Sequence, residues 1–348
     1  MKSLSPEEAV KLFKEAPLQE LGQMADEMRQ KLHPEGVVTF VVDRNINYTN
    51  VCINRCLFCA YYREKDHPEA YILDKETLRE KIAETVKLGG TQILLQGGIH
   101  PDLGLEFYID MVRFIKEEFP RINLHGFSPP EIYYLAKREG LTIREVLENL
   151  REAGLNSIPG GGAEILSDRV RQRISPRKIN SSQWLEVMRQ AHLLGMKTTA
   201  TMMFGTVEEP EDIVAHLDAI RRLQDETGGF TAFIPWSFQV RNTALERVYD
   251  TLNLATGVDY LRVLALSRVY LDNFSNIQAS WVTQGLKMAQ VALRFGANDF
   301  GSTMLEENVV RAAGVCYRVS MNDIIEAIRA AGFQPAQRDT YYNILKYF

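Results

Sequence analysis

Short apolar runs, each about the length of a β-strand, alternate along most of this chain with longer stretches whose apolar positions recur every three or four residues. Such alternation is the signature of repeated βα units. It predicts eight strands, at 45–50, 92–96, 123–127, 157–160, 198–204, 231–238, 276–281 and 292–296. Between them, the helical period predicts amphipathic helices at 75–88, 105–118, 143–153, 180–194, 211–227 and 260–271. Segment 242–257 reads as a loop with some helix, and 304–313 and 322–331 read as closing helices, the second capped by Ser320.

Eight strands in strict alternation with helices argue for α/β architecture closed as a (β/α)8 TIM-type barrel, in which reacting groups sit on the loops after the strands. Ser5-Pro6-Glu7-Glu8 supplies an N-cap and a first-turn proline. Helical patterning continues from there to about position 31, and 37–42 is β-rich. Residues 1–36 are therefore expected to form an N-terminal helical extension and 37–348 a single barrel domain, since no Pro-, Gly- or Ser-rich linker divides the chain.

Composition narrows the classes. Hydrophobic residues at 45% and charged residues at 24% are ordinary globular values. A net charge of −5 without basic blocks gives no reason to expect a nucleic-acid partner. The apolar stretches are strand-sized and the N-terminus lacks an apolar targeting core, so no membrane span or leader is expected. Four cysteines in 348 residues are too few for a disulfide scaffold. Cys316 is expected to be a buried free thiol, and a reducing cytoplasm fits this usage.

The other three cysteines, Cys52, Cys56 and Cys59, follow directly on the first expected strand, where a barrel carries its chemistry. A [4Fe–4S] cube normally takes four thiolates. Three would leave one iron open to bind and reduce a small molecule. A structural zinc site with a fourth ligand elsewhere, or a simple electron carrier, are the alternatives.

Further unusual residues stand at other strand ends. Gln96-Gly97-Gly98-Ile99-His100 follows the second strand, and the paired glycines admit close backbone approach. Pro159-Gly160-Gly161-Gly162-Ala163-Glu164 follows the fourth; its amides could form an anion nest, and Glu164 could accept from ribose hydroxyls or an ammonium group. The fifth ends Phe204-Gly205-Thr206-Val207-Glu208, and the sixth carries Trp236, a ring suited to an aromatic or nucleoside substrate. Asn298, Asp299 and Ser302 form a hydrogen-bonding group beyond the last strand. Of the histidines, His100 lies on the catalytic face, His125 is placed in a strand, and His33, His67, His192 and His216 are expected to face solvent.

The run Cys52-x3-Cys56-Leu57-Phe58-Cys59 resembles the cluster loop of the radical S-adenosylmethionine (SAM) superfamily. Tyr48-Thr49-Asn50-Val51-Cys52, Gln96–Pro101, Ile158–Ile165 and Gly296–Asp299 together resemble that superfamily's menaquinone (futalosine pathway) and F420 branch, over about Val37 to Asn343. Within the branch, Ile234–Gln239 with Asn242-Thr243 is most similar to the dehypoxanthine futalosine cyclases. Aminofutalosine synthases and the tyrosine-using F0 synthase subunits are the other members. The resemblance implies a [4Fe–4S] cluster on the three cysteines and SAM held by Phe58, Tyr61, Gln96, Gly97, Gly98, Glu164, Gly205 and Glu208. Ile99 stands where the family often has an acidic residue. Also implied are a nucleoside-like substrate near Trp236, Asn298 and Ser302, a base at His100 or Asp299, and a flavodoxin or ferredoxin as reductant.

Overall fold

The computed structural model describes residues 4–248 and 252–348. Eleven strands are present among the described residues: β1 Val37–Val41, β2 Asp43–Asn47, β3 Gln92–Gln96, β4 Asn123–Gly126, β5 Ser157–Ile158, β6 Lys197–Phe204, β7 Phe230–Ser237, β8 Asn276–Ile277, β9 Asp299–Ser302, β10 Gln334–Arg338 and β11 Ile344–Tyr347. Strands β2 to β8 form a parallel seven-stranded sheet in chain order. The ring continues from β8 to β9, where Asn298 N–H donates to the Ile277 carbonyl (3.1 Å) and Ala279 N–H to that of Asp299 (2.8 Å). Strand β9 then pairs in parallel with β1, which runs straight into β2. The result is the expected α/β barrel, with helices such as Lys75–Lys87, Leu105–Glu118 and Ser181–Leu193 on its outside.

Local chemistry accounts for the helix starts. Reciprocal capping boxes join Ser5 with Glu8, Thr142 with Glu145, Asn180 with Gln183, Thr256 with Asp259 and Ser320 with Asp323. The N-terminal pattern breaks at Pro17 into two helices, Pro6–Glu15 and Leu18–Leu32. Arg262 donates to the carbonyls of Phe13 and Ala16 between them, tying the pair to the helix Gly257–Tyr270 on the barrel wall.

Two expectations are corrected, and the tail adds a strand pair that the sequence pattern does not predict. Segment 292–296 is not a strand: Leu286–Ala292 is helical, and the strand that closes the ring is Asp299–Ser302. A short apolar run satisfies either period. Helix 304–313 shrinks to Val309–Ala312, because the preceding residues extend β9 alongside β2, with Leu305 N–H on the Asp43 carbonyl (3.1 Å) and Asn45 N–H on that of Glu306 (3.3 Å). Strand β10 lies parallel to β1 on the side away from β9, and β11 is antiparallel to β10 at the edge. The expected mixture of loop and helix at 242–257 includes a helix at Ala244–Val248, and positions 249–251 lie outside the described residues.

Candidate active site

Most TIM barrels fill their interior with Val, Ile and Leu. Here the inward-facing rows are mainly polar. Alternate residues of each strand face one side, and Asp43, Asn45 and Asn47 of β2, Gln92, Leu94 and Gln96 of β3, and Thr199 and Thr201 of β6 all line a single cavity of about 420 Å³. Ile234 and Trp236 of β7, Gln278 and Ser280 beyond β8, and Ser302 of β9 continue the wall. The space these amides and hydroxyls border can take a ligand rich in hydrogen-bonding groups.

The cysteine loop crosses the end of this cavity beyond the C-terminus of β2. Cys52 N–H donates to the Arg63 carbonyl (3.2 Å), Ile53 N–H to that of Ile99 (3.0 Å) and Cys59 N–H to that of Cys56 (3.1 Å). The glycine pair serves this packing: a Cβ on Gly98 would run into the Val51 carbonyl and lie 2.9 Å from Cβ of Cys52, and one on Gly97 would meet the Tyr48 ring at 2.5 Å. The close approach allowed by the glycines is thus made first by the protein's own loop. All three thiols are free and all three residues line the cavity. Burial pushes the Cys56 thiol up to about 12 and raises that of Cys59, so both rest as neutral thiols. A bound metal cluster supplies the positive charge that holds such groups as thiolates. Three soft donors on one loop, open to a cavity, fit an iron–sulfur cluster with one iron left to a ligand. Cys316, expected to be buried, is exposed; it stands two residues beyond the turn at Gly314 (φ 82°).

Beside the loop, Lys178 pairs with Glu164 and lies 5.3 Å from the centroid of the Phe58 ring. Burial works against its charge, but Glu164 holds the ammonium above the ordinary lysine range. Glu164 is therefore engaged by an ammonium group of the protein itself. It sits at φ 45° on a turn whose carbonyls are gripped by Arg171, which donates to Gly162 (3.2 Å), Ala163 and Ile165 (3.4 Å). The Gly160 amide donates to Thr199 Oγ1 (3.0 Å), so that member of the expected anion nest is already occupied.

Of the other expected residues, Phe58, Tyr61, Gln96, Gly97, Gly98, Glu164, Trp236 and Ser302 share the cavity wall with the cysteines. The rest stand off it. Glu208 folds back onto Gly205 N–H and the N–H (2.9 Å) and hydroxyl (2.7 Å) of Thr206. Asn298 is bonded to Arg268 (2.6 Å), Ile277 N–H (2.9 Å) and Asn276 (2.9 Å). Asp299 is fully buried and accepts from both Nε (2.6 Å) and Nη2 (3.0 Å) of Arg338. His100 accepts at Nδ1 from Asp102 N–H (3.1 Å), and burial lowers its pKa. His125 faces the cavity, neutral, its ring pushed down to about 3 by burial. Contrary to expectation, His216 and His192 are buried. His216 accepts from Leu166 N–H (3.0 Å), and His192 lies between Thr198 (2.7 Å) and Thr227 (2.6 Å).

Sequence reasoning missed Asp43, Gln92, Lys178, Arg338 and Thr340, all on the wall. The polar period-two rows at 43–47 and 92–96 were the available signal for the first two. Burial pushes the Asp43 carboxyl up to about 6, against hydrogen bonds from Ser302 and Gln92 that favour its charge. Glu131, also on the wall, is pushed up to about 7 by burial while bracing the Gly97 amide (3.3 Å), Tyr48 and Ser128.

Known proteins match this arrangement along the whole chain. The Radical SAM superfamily model matches residues 46–220, and that of the CofH/MqnC C-terminal region matches 226–347. The chain is 49% identical to the cyclic dehypoxanthine futalosine synthase of Halalkalibacterium halodurans, across 99% of this chain and 92% of the relative. It is 45% identical to the 5-amino-6-(D-ribitylamino)uracil–L-tyrosine 4-hydroxyphenyl transferase of Methanopyrus kandleri, across 93% of this chain and 88% of that one. Methylornithine synthase shares the fold at a TM-score of 0.73 and 19% identity, over 96% of this chain and 94% of that structure. With thiol spacing, barrel and similarity in agreement, the chain belongs to the radical SAM superfamily of enzymes, in its CofH/MqnC group.

Proposed function

We propose that this enzyme is a cyclic dehypoxanthine futalosine synthase, joining ribose C4′ of dehypoxanthine futalosine to its benzoate-bearing ring in menaquinone biosynthesis. The 49% identity over nearly the full length of a relative of that name carries the reading, and the polar barrel interior with Trp236 on its wall supports it. Cys52, Cys56 and Cys59 would hold the cluster, and Phe58, Tyr61, Gln96, Gly97, Gly98, Glu164 and Lys178, on the adjoining wall, would border SAM. When bound, cluster and SAM supply a carbon-centred radical able to abstract hydrogen.

The chain's own residues then carry two tasks. Amide and hydroxyl rows hold the sugar so that a single C–H faces the radical, because such a species attacks whatever is nearest. Trp236 gives the substrate's ring an apolar face. The electron arrives from a small redox protein of the flavodoxin or ferredoxin type, in the cytoplasm. Among the described residues no helix is long and apolar enough to cross a membrane.

A second reading has its own support, the 45% identity to the archaeal tyrosine transferase. One assay separates them. Anaerobically reduced enzyme with SAM is given either dehypoxanthine futalosine or tyrosine with 5-amino-6-(D-ribitylamino)uracil. The cyclised product from the first mixture is expected; turnover of the second alone assigns the transferase activity instead.

A further inference from the structure

At the N-terminal ends of β2 and β3, away from the cysteines, four side chains form one directed chain. The Thr340 hydroxyl donates to Gln92 Oε1 (2.6 Å), Gln92 Nε2 donates to Asp43 Oδ2 (2.6 Å), and the Ser302 hydroxyl donates to Asp43 Oδ1. Because Thr340 fixes which way the Gln92 amide faces, Asp43 receives a hydrogen on each oxygen. Each oxygen keeps one lone pair. Asp43 is only 2% exposed, and all four residues line the cavity.

The charges at this end settle what can bind. Arg338 is the neighbouring cation on the wall, but Nε and Nη2 are spent on Asp299, and Nη1 on the Asp339 carbonyl (3.0 Å). The other wall carboxylates are committed: Glu164 to Lys178, Glu131 to Tyr48, Ser128 and the Gly97 amide, and Glu307 to the amides of Val309, Val310 and Arg311. Of the three without a bonded cation, Asp43 alone accepts a single hydrogen bond at each oxygen. A carboxylate placed here would face a negative charge with no cation bonded to it, whereas a hydroxyl would find two open acceptor positions.

We propose that Asp43, oriented by Gln92 and Ser302, is the acceptor for hydroxyl groups of a sugar or polyol portion of the substrate, which therefore enters hydroxylated end first with its anionic group towards the cysteine end. This rests on the reading of the cavity as the substrate site. A hydrogen bond to a charged acceptor favours binding by roughly ten- to a hundredfold, and loss of the charge should remove about that factor.

The test is equilibrium binding to anaerobically reconstituted, unreduced holoenzyme containing SAM. Dehypoxanthine futalosine and its 2′- and 3′-deoxy analogues are titrated into wild type and Asp43→Asn, with iron content and SAM affinity measured on both. The expected result is an affinity for the full ligand at least tenfold weaker in the variant, at unchanged iron and SAM binding. At least one deoxy analogue should bind wild type as weakly as it binds Asp43→Asn. An unchanged ligand affinity in the variant overturns the proposal. So does wild type that binds both deoxy analogues as tightly as the full ligand, a measurement independent of whether the variant folds. If wild type ignores dehypoxanthine futalosine but binds 5-amino-6-(D-ribitylamino)uracil, the substrate assignment fails, and the same comparison with ribityl-deoxy analogues decides for or against Asp43. Binding of neither ligand overturns both.

Discussion

Gly98 shows how closely the cysteine loop depends on single atoms. Its missing side chain is the space into which the Val51 carbonyl fits, so Gly98→Ala must push the cysteine loop outward. Overpacking of this kind costs about 1–3 kcal/mol. The expected outcome is a modest fall in melting temperature together with a large fall in iron bound per chain, read by iron analysis after anaerobic reconstitution. Full iron loading in the alanine variant would show that the loop can yield. The Lys178–Glu164 pair makes a second case. Both side chains are nearly buried, at 11% and 6% exposure, and removing one partner strands the other's charge at roughly 3–5 kcal/mol. Lys178→Met should therefore destabilise strongly, whereas Lys178→Met combined with Glu164→Gln should recover most of the loss in urea denaturation. Purely additive effects would mean that the pair does not act as a unit.

The strands and helices carry the same argument to longer range. Most of the barrel was legible because each βα unit declares itself locally, by period and by cap. Residues at strand ends, such as the cysteines, Gln96 and Trp236, were legible for the same reason. What escaped was set by distant partners. Nothing local distinguishes Gln334–Arg338 as a strand; it becomes one because β1 presents an open edge. Asp43 and Gln92 turn inward through strand register, and Lys178 reaches the cysteines from a loop about 120 residues away in sequence. Asn298 and Asp299 were legible as polar residues at a strand end, but their hydrogen bonds go to Arg268 and Arg338. The buried Asp299–Arg338 pair fastens β10 to β9, and Arg338→Met should cost roughly 3–5 kcal/mol in denaturant unfolding. A loss below 1 kcal/mol would show that β10 is held by its backbone alone.

The molecule's response to acid follows from its buried groups together. Burial lowers His125, His192 and His216 to about 3, 4 and 3 from 6.5, and raises Asp43 to about 6 from 3.8 and Glu131 to about 7 from 4.5. Near pH 5.5 the unfolded chain has protonated all three histidines, while the native fold has taken up its protons at the two acids. The unfolded state thus binds about one more proton, and stability falls by about 1.4 kcal/mol per pH unit as pH drops from 6.5 towards 4.5. Above 6.5 this dependence fades. Replacing His216 with Gln should remove one of the unfolded chain's protons and flatten the slope, as measured by urea denaturation at pH 7 and 5.5. An unaltered slope would mean that His216 titrates normally in the fold.

The pairing of β1 with β9 and β10 has a consequence for biosynthesis. The cysteine loop emerges from the ribosome early, yet β10, which supplies Arg338 to the opposite end of the cavity, is among the last segments to be made. A nascent chain stalled before residue 334 would have its thiol neighbourhood in place above a cavity still open at the far end, and a small ligand offered at that stage should wash away. Ligand retention by this protein is in that case a property of the released polypeptide rather than of the translating one.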